Sequence, residues 1–587
     1  MDDDVRERVE EAAEEAALFN ALKHGSDAQV GAIMGPMMGE NPEFREHGDE
    51  IPGVIGPVIT DVNGMDDAEK RERLAELAPE KVEELESEDE EDEYDLPDLT
   101  NAEEGEVRMR VAPNPNSPWH IGHARMAAVV GTYKERYDGE FICRFDDTDP
   151  ETKRPDLDAY DAILGAIEYL GFEPDDVLKA SDRVDIYYEH ARALIDEGGA
   201  YTCSCPQEEF SNLKNSAEPC PHRDKDVDTV RAEFDEMVAG EYSAGEMVLR
   251  VKTDIKHKNP ALRDWVAFRM VDTPHPREEA EEIRCWPMLD FQSGIDDHLT
   301  EMTHIIRGID LQDSAKRQQF VYDYFGWEYP EVLHWGHVQV DEYDIELSSS
   351  TIAELVGAGD LDGWDDPRAP TVASLRRRGI RGQAIVDAMV GLGTSTSNVD
   401  LAMSSIYANN RDIVDEETDR AFLVRDDDEH GGGAVERQVV GGPAKGHPPV
   451  HPNHEDWGDR TISVESGVLV ESEDLPPHGE RVWLKGYGCV RHTRDAFEYT
   501  GDDIEVVRDG EVDVIHWVPA ADSLETRLRT MEGDVDGYAE PGIGEYETDE
   551  LVQFERVGFA RLDRFGAADG DDESDDEYDL VAYYAHP

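Results

Sequence analysis

Residues 108–125 read RMRVAPNPNSPWHIGHAR. A short apolar run breaks into a Pro/Asn-rich turn and delivers His120, Gly122 and His123 to the start of a helix, where backbone N–H groups lack intrahelical partners. That arrangement suits a nucleotide phosphate chain better than a packed core, although packing and helix capping are the alternative use of the two histidines. Farther along, Cys203, Cys205, Cys220 and His222 are spaced as Cys-x-Cys, a gap of fourteen residues, then Cys-x-His. Three thiolates and one imidazole complete a tetrahedral zinc shell with no open position, which points to a structural rather than a catalytic metal. Four unligated residues on a turn are the competing explanation. Arg307 closes another apolar run, and a guanidinium there can bind a carboxylate or phosphate through two parallel hydrogen bonds. A surface turn with Asp310 would place the same residues without function.

These groups need elements to hold them. Residues 107–111 read as a strand, 113–118 as a loop, 120–137 as a helix and 141–145 as a second strand ending in DDTDP, residues 146–150. Strand, helix, strand is the first half of a parallel α/β nucleotide-binding fold, with function at the strand C-terminal ends. The later stretch 290–325 repeats the pattern with a strand over 303–307 and a helix over 314–325. Residues 351–425 look helical and carry a basic knot, Arg376, Arg377, Arg378 and Arg381, either for phosphates or for neutralisation by acidic neighbours. Beyond the Gly/Asp break at 426–433, short alternating runs separated by Gly, Asp and Pro turns fit one or two small β-barrels. The acidic stretch 87–98 reads as a linker and 567–579 as a disordered tail.

The chain has 138 Asp plus Glu against 55 Lys plus Arg, a net charge of -83, and only 14 lysines. In dilute buffer such a surface repels itself and any polyanion. At about 1 M salt the Debye length is roughly 3 Å, and most of that repulsion disappears. Apolar and aromatic segments run throughout, which excludes an acidic disordered protein and fits a salt-adapted cytoplasmic one. No apolar run approaches the roughly 18 residues of a membrane span, and the first residues are too acidic for a targeting peptide.

The His-Ile-Gly-His tetrad with the preceding Arg110-Val111-Ala112-Pro113, DDTDP, the run 303–310 and Trp364-Asp365-Asp366-Pro367-Arg368 resemble, in that order, the class I aminoacyl-tRNA synthetases. More narrowly, the chain is similar to the archaeal glutamyl-tRNA synthetases over residues 100–565. The fold class implied is multidomain α/β: a Rossmann-like catalytic core, a zinc-bearing insertion, a helical stem-contact domain and C-terminal β-barrel anticodon-binding domains. The expected boundaries are 1–99 for a helical extension with its linker, 100–200 and 285–350 for the two halves of the core, 201–284 for the acceptor-binding insertion, 351–431 for the stem-contact domain and 432–587 for the barrels and tail.

The resemblance also implies roles. L-glutamate falls to Arg110, Ala112, Asp146, Asp290 and Arg307, and ATP with Mg²⁺ to Pro113, His120, Gly122, His123, Leu347 and Ser348. Catalysis falls to His120, Gly122, His123, Ser348 and Ser349. Two guanidiniums, Arg110 and Arg307, suit the glutamate side-chain carboxylate better than a neutral carboxamide. The partners implied are tRNA(Glu), with tRNA(Gln) a second candidate, and no membrane; the chain is expected to work as a monomer. A glutaminyl-tRNA synthetase or a non-catalytic tRNA-binding paralogue are the rival readings. For the anticodon, Arg481, Lys485, Arg491 and Arg494 are candidate contacts, with Gln553, Phe554, Glu555 and Arg556 shaping a barrel edge.

Two positions depart from the family pattern. The second class I signature loop normally carries two lysines, and here it reads Glu346-Leu347-Ser348-Ser349-Ser350. A bound cation, or serine hydrogen bonds with the N-terminus of a helix begun by Ser350 or Thr351, would have to replace them. Leu289 stands where relatives place a tyrosine whose hydroxyl helps hold the amino acid.

Overall fold

A computed structural model describes residues 3–24, 33, 51–65, 67–78, 81, 96–340, 342–427, 432–566 and 578–587. Most of the acidic stretch 87–98 and of the tail 567–579 lies outside the described residues. The chain divides into two compact units, residues 1–95 and 96–587. In the first unit the helices Asp3–His24, Ile51–Asn63 and Asp67–Leu77 share a core that includes Leu18, Ile51, Ile55 and Leu74. None of the described helices is long and apolar enough to cross a membrane.

The second unit is built on parallel strands. β1 (Arg108–Val111), β2 (Glu140–Phe145) and β3 (Asp176–Lys179) form one parallel sheet in that order. After an inserted antiparallel sheet made of β4 (Ala200–Cys203), β5 (Val248–Val251), β6 (Val266–Met270) and β7 (Cys285–Pro287), β8 (His304–Gly308) pairs in parallel with β9 (Glu331–Trp335). The Thr303 N–H donates to Arg108 O at 3.0 Å and the Arg108 N–H to Thr303 Oγ1 at 2.9 Å, setting β8 beside β1. The order in space is therefore β3-β2-β1-β8-β9, and the direction of winding reverses between β1 and β8. Open α/β sheets bind ligands at that reversal, outside the strand C-termini. β2 is nearly continuous in apolar residues because both of its faces are covered, which leaves Arg144 as a charged residue inside a buried strand.

The helices Ser349–Ala358, Val372–Arg378, Gly382–Val390 and Met403–Val414 follow, then two seven-stranded sheets. Strands Arg420–Ala421 and Leu423–Arg425 belong to the same sheet as the strands from Leu524 onward, while the strands between Ala434 and Pro519 make the other, apart from Lys445–Gly446 and Ile462–Ser463, which pair only with each other. One β-domain is thus inserted into the other, and the first of their strands precede residue 432. The final strand, Leu580–His586, lies inside its sheet, antiparallel to Gly558–Phe565 and parallel to Leu524–Arg529.

That strand corrects the reading of the basic knot as a phosphate contact. Arg378 is fully buried and donates from Nε to Tyr584 O at 3.0 Å, from Nη2 to Ala585 O at 2.6 Å and to the Tyr407 hydroxyl at 2.9 Å, and from Nη1 to the Tyr343 hydroxyl at 3.2 Å. Arg377 pairs with Asp365 at 2.9 Å and Asp563 at 3.4 Å, and Arg376 lies over the Tyr169 ring. Arg378 and Arg377 thus join the helical region to the barrel, where carbonyls at the end of the last strand need donors, and Arg376 packs on the helix Leu157–Tyr169. Phe554 is likewise fully buried in the barrel core rather than shaping an edge, since alternation along Leu551–Phe554 turns it inward.

Replacing Arg378 by Met keeps the volume but strips four acceptors of their donor. The substitution should lower the stability of this unit by about 3 kcal/mol in chemical denaturation at multimolar KCl. A change below about 0.5 kcal/mol, the range of an ordinary surface substitution, would show that the contact does not hold the barrel in place.

Candidate functional site

The reversal point between β1 and β8 is occupied by one carboxylate and three arginines. Asp297, from the helix Leu289–Leu299, is buried and accepts from Arg110 Nε at 2.9 Å, Arg144 Nη1 at 2.8 Å and Arg307 Nη2 at 3.2 Å. The arginines come from β1, β2 and β8, so one side chain orients three strands. Burial alone would raise the Asp297 carboxyl, yet the three surrounding guanidiniums override it and hold the group well below the usual carboxylate range. Arg307 also donates to Gln318 Oε1 at 3.0 Å, and Gln318 in turn donates to Ser293 Oγ at 2.6 Å.

A cavity of about 400 Å³ opens beside this cluster. Five cations line it, Arg110, Arg144, Lys153, Arg269 and Arg307, against three carboxylates, Asp146, Asp149 and Asp310. The convergent Arg110, Arg144 and Arg307 outnumber the two carboxylates they pair with, Asp297 and Asp146, by one positive charge in a chain whose net charge is -83. Such a site receives an anion. Ala112 and Leu289 are also in the lining, the latter an exposed apolar surface where a tyrosine hydroxyl was the family expectation.

The DDTDP carboxylates divide their work. Asp146 pairs with Arg144 at 2.8 Å and is tied to the first loop: its N–H donates to Pro113 O at 2.9 Å, and Asn114 Nδ2 donates to its carbonyl at 2.8 Å. Asp147 is fully buried, accepting from the Tyr160 hydroxyl and from the Ser181 N–H and hydroxyl, each at 2.7 Å. Asp149 accepts from the Glu151 and Thr152 N–H groups and from Arg269 at 2.7 Å, which fixes the loop that carries Lys153. Asp290 is engaged by Arg317 at 2.5 Å and is not among the residues lining the cavity.

His120 is the extended residue before the helix Ile121–Arg136, and its ring stacks on His123 with centroids 3.7 Å apart. Burial pushes His120 down to about 4, and burial followed by the charges of His120 and Lys153 pushes His123 well below its ordinary value. Both imidazoles are neutral at pH 7, and the Nδ1 of each is buried without a partner among the described residues. They can exchange hydrogen bonds with a ligand but bring no charge of their own. A Cβ on Gly122 would stand 3.2 Å from the His120 ring and 3.2 Å from Leu347, so the glycine lets the second loop press against the first.

The helix start is less open than its sequence suggests. The Ile121 N–H donates to Pro370 O at 2.9 Å and the His123 N–H to His120 O at 3.0 Å, while the Val372 N–H donates back to Trp119 O. The segment after Trp364-Asp365-Asp366-Pro367-Arg368 crosses the helix there, anchored by buried Asp366, which accepts from Arg368. The second loop also starts its helix earlier than expected. Ser348 is the N-cap, accepting from the Thr351 N–H at 3.4 Å, and the helix runs Ser349–Ala358. An N-cap oxygen satisfies the donors two and three residues on, which makes Ser349 rather than Ser350 the first helical residue. The Ser349 Oγ is buried with no partner among the described residues.

Away from this site, Cys203 at the end of β4 meets Cys205, Cys220 and His222. Their ligand atoms all lie within 4.8 Å of one another, with Cys203 Sγ to Cys220 Sγ at 3.5 Å and Cys205 Sγ to His222 Nδ1 at 3.4 Å. A tetrahedron with metal–sulfur bonds of about 2.3 Å has edges of ~3.8 Å, so four converging ligand atoms at these separations fit a closed metal shell.

Sequence reasoning passed over Arg144, Asp297, Gln318 and Lys153. Arg144 carried a signal, a charge in the middle of a strand with apolar residues on both faces. Asp297, in a run of two aspartates on an amphipathic helix, carried none, because its three partners come from distant parts of the chain.

Fold and cavity define a parallel α/β nucleotide-binding protein with appended β-domains. Residues 106–416 match the family model of the class I (E and Q) tRNA synthetase catalytic domain, and residues 419–509 and 514–563 match the two anticodon-binding domain models of the same group. The chain is 75% identical to a glutamate-tRNA ligase of Haloarcula marismortui and 70% identical to one of Natronomonas pharaonis, covering 100% of both chains in each case. A solved glutamate tRNA ligase from Elizabethkingia meningosepticum overlaps 52% of this chain and 69% of its own at 19% identity and a TM-score of 0.36. The chain belongs to the class I tRNA synthetases of the glutamate and glutamine group.

The neutral histidines give this site a pH signature. Unfolded, His120 takes up its proton near 6.5; folded, at about 4. Above about 6.5 the residue costs nothing, and as pH falls toward 4 the unfolded state binds a proton that the folded state refuses, so stability is lost progressively. In denaturant unfolding at constant high salt, His120→Gln should flatten the decline over that window. An unchanged slope would mean that His120 protonates normally in the fold.

Proposed function

We propose that this chain activates L-glutamate with ATP and transfers it to the 3′ end of tRNA(Glu). The observation that carries this reading is the cavity at the β1/β8 reversal, where Arg110, Arg144 and Arg307 converge with one net positive charge to spare. Glutamate is a dianion when only its carboxylates are counted. A guanidinium cluster repays its desolvation with a carboxylate, whereas a glutamine carboxamide would leave charge unpaired. The names of the full-length relatives support the same substrate.

In the proposed first step an α-carboxylate oxygen of glutamate attacks the α-phosphorus of ATP and pyrophosphate leaves. Arg110 and Arg307, with Arg144 behind them, hold the side-chain carboxylate, and Asp146 and Ala112 shape the cavity wall. Pro113, His120, Gly122, His123, Leu347 and Ser348 hold ATP, whose Mg²⁺ accompanies the phosphates. The stacked imidazoles act as neutral hydrogen-bonding groups, with Ser348 and Ser349 at the facing helix start. Positioning and charge stabilisation supply the rate, as no covalent enzyme intermediate is required. In the second step the terminal 2′-hydroxyl of the tRNA attacks the activated carbonyl and AMP leaves.

Zinc is the metal proposed for Cys203, Cys205, Cys220 and His222, holding the insertion that faces the acceptor end. The last β-domains take the anticodon. There, Arg481 pairs with Glu511 at 2.8 Å, Lys485 with Glu555, and Arg556 with Asp474 at 2.6 Å. Arg491 and Arg494 are exposed and make no ion pair among the described residues, which leaves them as the preferred phosphate or base contacts. Whether tRNA(Gln) is a second substrate is answered by the same assay as the first.

Aminoacylation in multimolar KCl, crossing glutamate and glutamine with both tRNAs, should charge glutamate only; no charging with any pair would sink the proposal. Arg307→Gln should raise the glutamate KM by at least about tenfold while leaving the ATP KM within about threefold. The purified protein should hold about one zinc per chain. Cys220→Ser should release it and depress tRNA charging more than pyrophosphate exchange, and a metal content unaffected by the substitution would move the zinc elsewhere.

A further inference from the structure

Adenylate formation needs a cation near the α-phosphate. As the bond from the glutamate oxygen to the α-phosphorus forms, the bond from that phosphorus to the bridging oxygen breaks, and its electron pair leaves with pyrophosphate. Negative charge therefore rises on the bridging oxygen and on the oxygens around the α-phosphorus. A fixed positive charge placed there stabilises the transition state more than the ground state.

The expected suppliers bring none. Burial keeps His120 and His123 neutral. The second loop reads Glu346-Leu347-Ser348-Ser349-Ser350, and the arginines of the cavity are already committed: Arg110 and Arg307 to Asp297, Arg144 to Asp297 and Asp146, and Arg269 to Asp149 and Glu151. Lys153 is the remaining cation of the lining. Among the described residues it makes no ion pair and no hydrogen bond, in a chain with 138 carboxylate side chains and 14 lysines.

Its position also fits. Lys153 lines the same cavity as Arg110 and Arg307, and its charge reaches the buried His123 of the histidine pair. Its backbone is held from both ends. Asp149 caps Glu151 and Thr152, Arg154 Nη1 donates to Pro274 O at 2.8 Å, and the Asp156 N–H donates to Pro115 O at 2.8 Å in the loop that leads to His120.

We propose that Lys153 is a catalytic residue of adenylate formation, its ammonium group contacting the α-phosphate and bridging oxygen of ATP in place of the lysines that the second loop lacks. This role rests on the proposed adenylate-forming reaction. Lys153 is exposed and unbonded among the described residues, so replacing it leaves the fold intact.

Glutamate-dependent ATP–pyrophosphate exchange in multimolar KCl should lose about 10²-fold in kcat on Lys153→Gln, with the KM values for ATP and glutamate within about threefold and the melting temperature unchanged. Lys153→Arg should keep at least about a tenth of the wild-type kcat, since the charge is what matters. Single-turnover transfer from preformed glutamyl-adenylate to tRNA should be unaffected, because no pyrophosphate leaves in that step. A Lys153→Gln kcat within about threefold of wild type, a loss confined to the ATP KM, or an arginine variant as inactive as the glutamine one would each overturn the role. A wild-type protein that shows no exchange would instead overturn the reaction itself.

Discussion

Asp297 is the constraint on which the site is built. Three guanidiniums from β1, β2 and β8 would repel one another and carry a heavy desolvation cost if they were brought together alone. One carboxylate with two oxygens accepts from all three, which makes the reversal point of the sheet a place where positive charge can be stored without strain. Its helix is therefore buried over most of its length despite carrying Asp290, Asp296 and Asp297. Asp296 does comparable work one step round the helix, accepting from Arg183 at 2.8 Å and from the Tyr187 hydroxyl. Breaking such a cluster by removing one member costs more than the cluster contributes as a whole, because the unpaired partners stay buried.

The extreme surface charge and this buried cluster respond to salt in opposite ways. At multimolar ionic strength the repulsion among exposed carboxylates is screened within a few ångströms, roughly 3 Å at 1 M, and exposed ion pairs contribute little. Buried pairs are shielded from the counterions and keep their strength. Under the proposed function, recognition would accordingly depend on short-range groups: guanidiniums against a carboxylate, neutral imidazoles against phosphate oxygens, and exposed arginines against unpaired bases.

Long-range connections are carried by arginine more than by lysine. Arg125, buried after the His-Ile-Gly-His tetrad, donates to Gly336 O and Gly393 O at 3.1 and 2.5 Å, tying the first helix to segments more than two hundred residues away. Gly336 has to be a glycine, as a Cβ there would fall 1.9 Å from Ser397 O. Arg378 performs the corresponding task for the last strand. Each of these guanidiniums satisfies several carbonyls at once, which a single ammonium cannot do with the same geometry.

Much of this was legible in the chain itself. The apolar runs and turn residues determined the strand-helix-strand order, the later switch to short β-strands, and the Cys/His spacing whose ligand atoms do converge. Local pattern suffices there because periodicity and capping act over a few residues. The ordered motifs likewise placed the chain in its family. Tertiary structure alone decided which charges are free. Asp297 and Arg144 became the centre of the site, Asp290 was drawn away by Arg317, three of the four knot arginines went into packing, and Lys153 was left without a partner among the described residues. The reason is physical: a charge is satisfied by whatever the fold brings within about 4 Å, and in a chain this acidic that is a property of the assembled interior rather than of neighbours in the sequence.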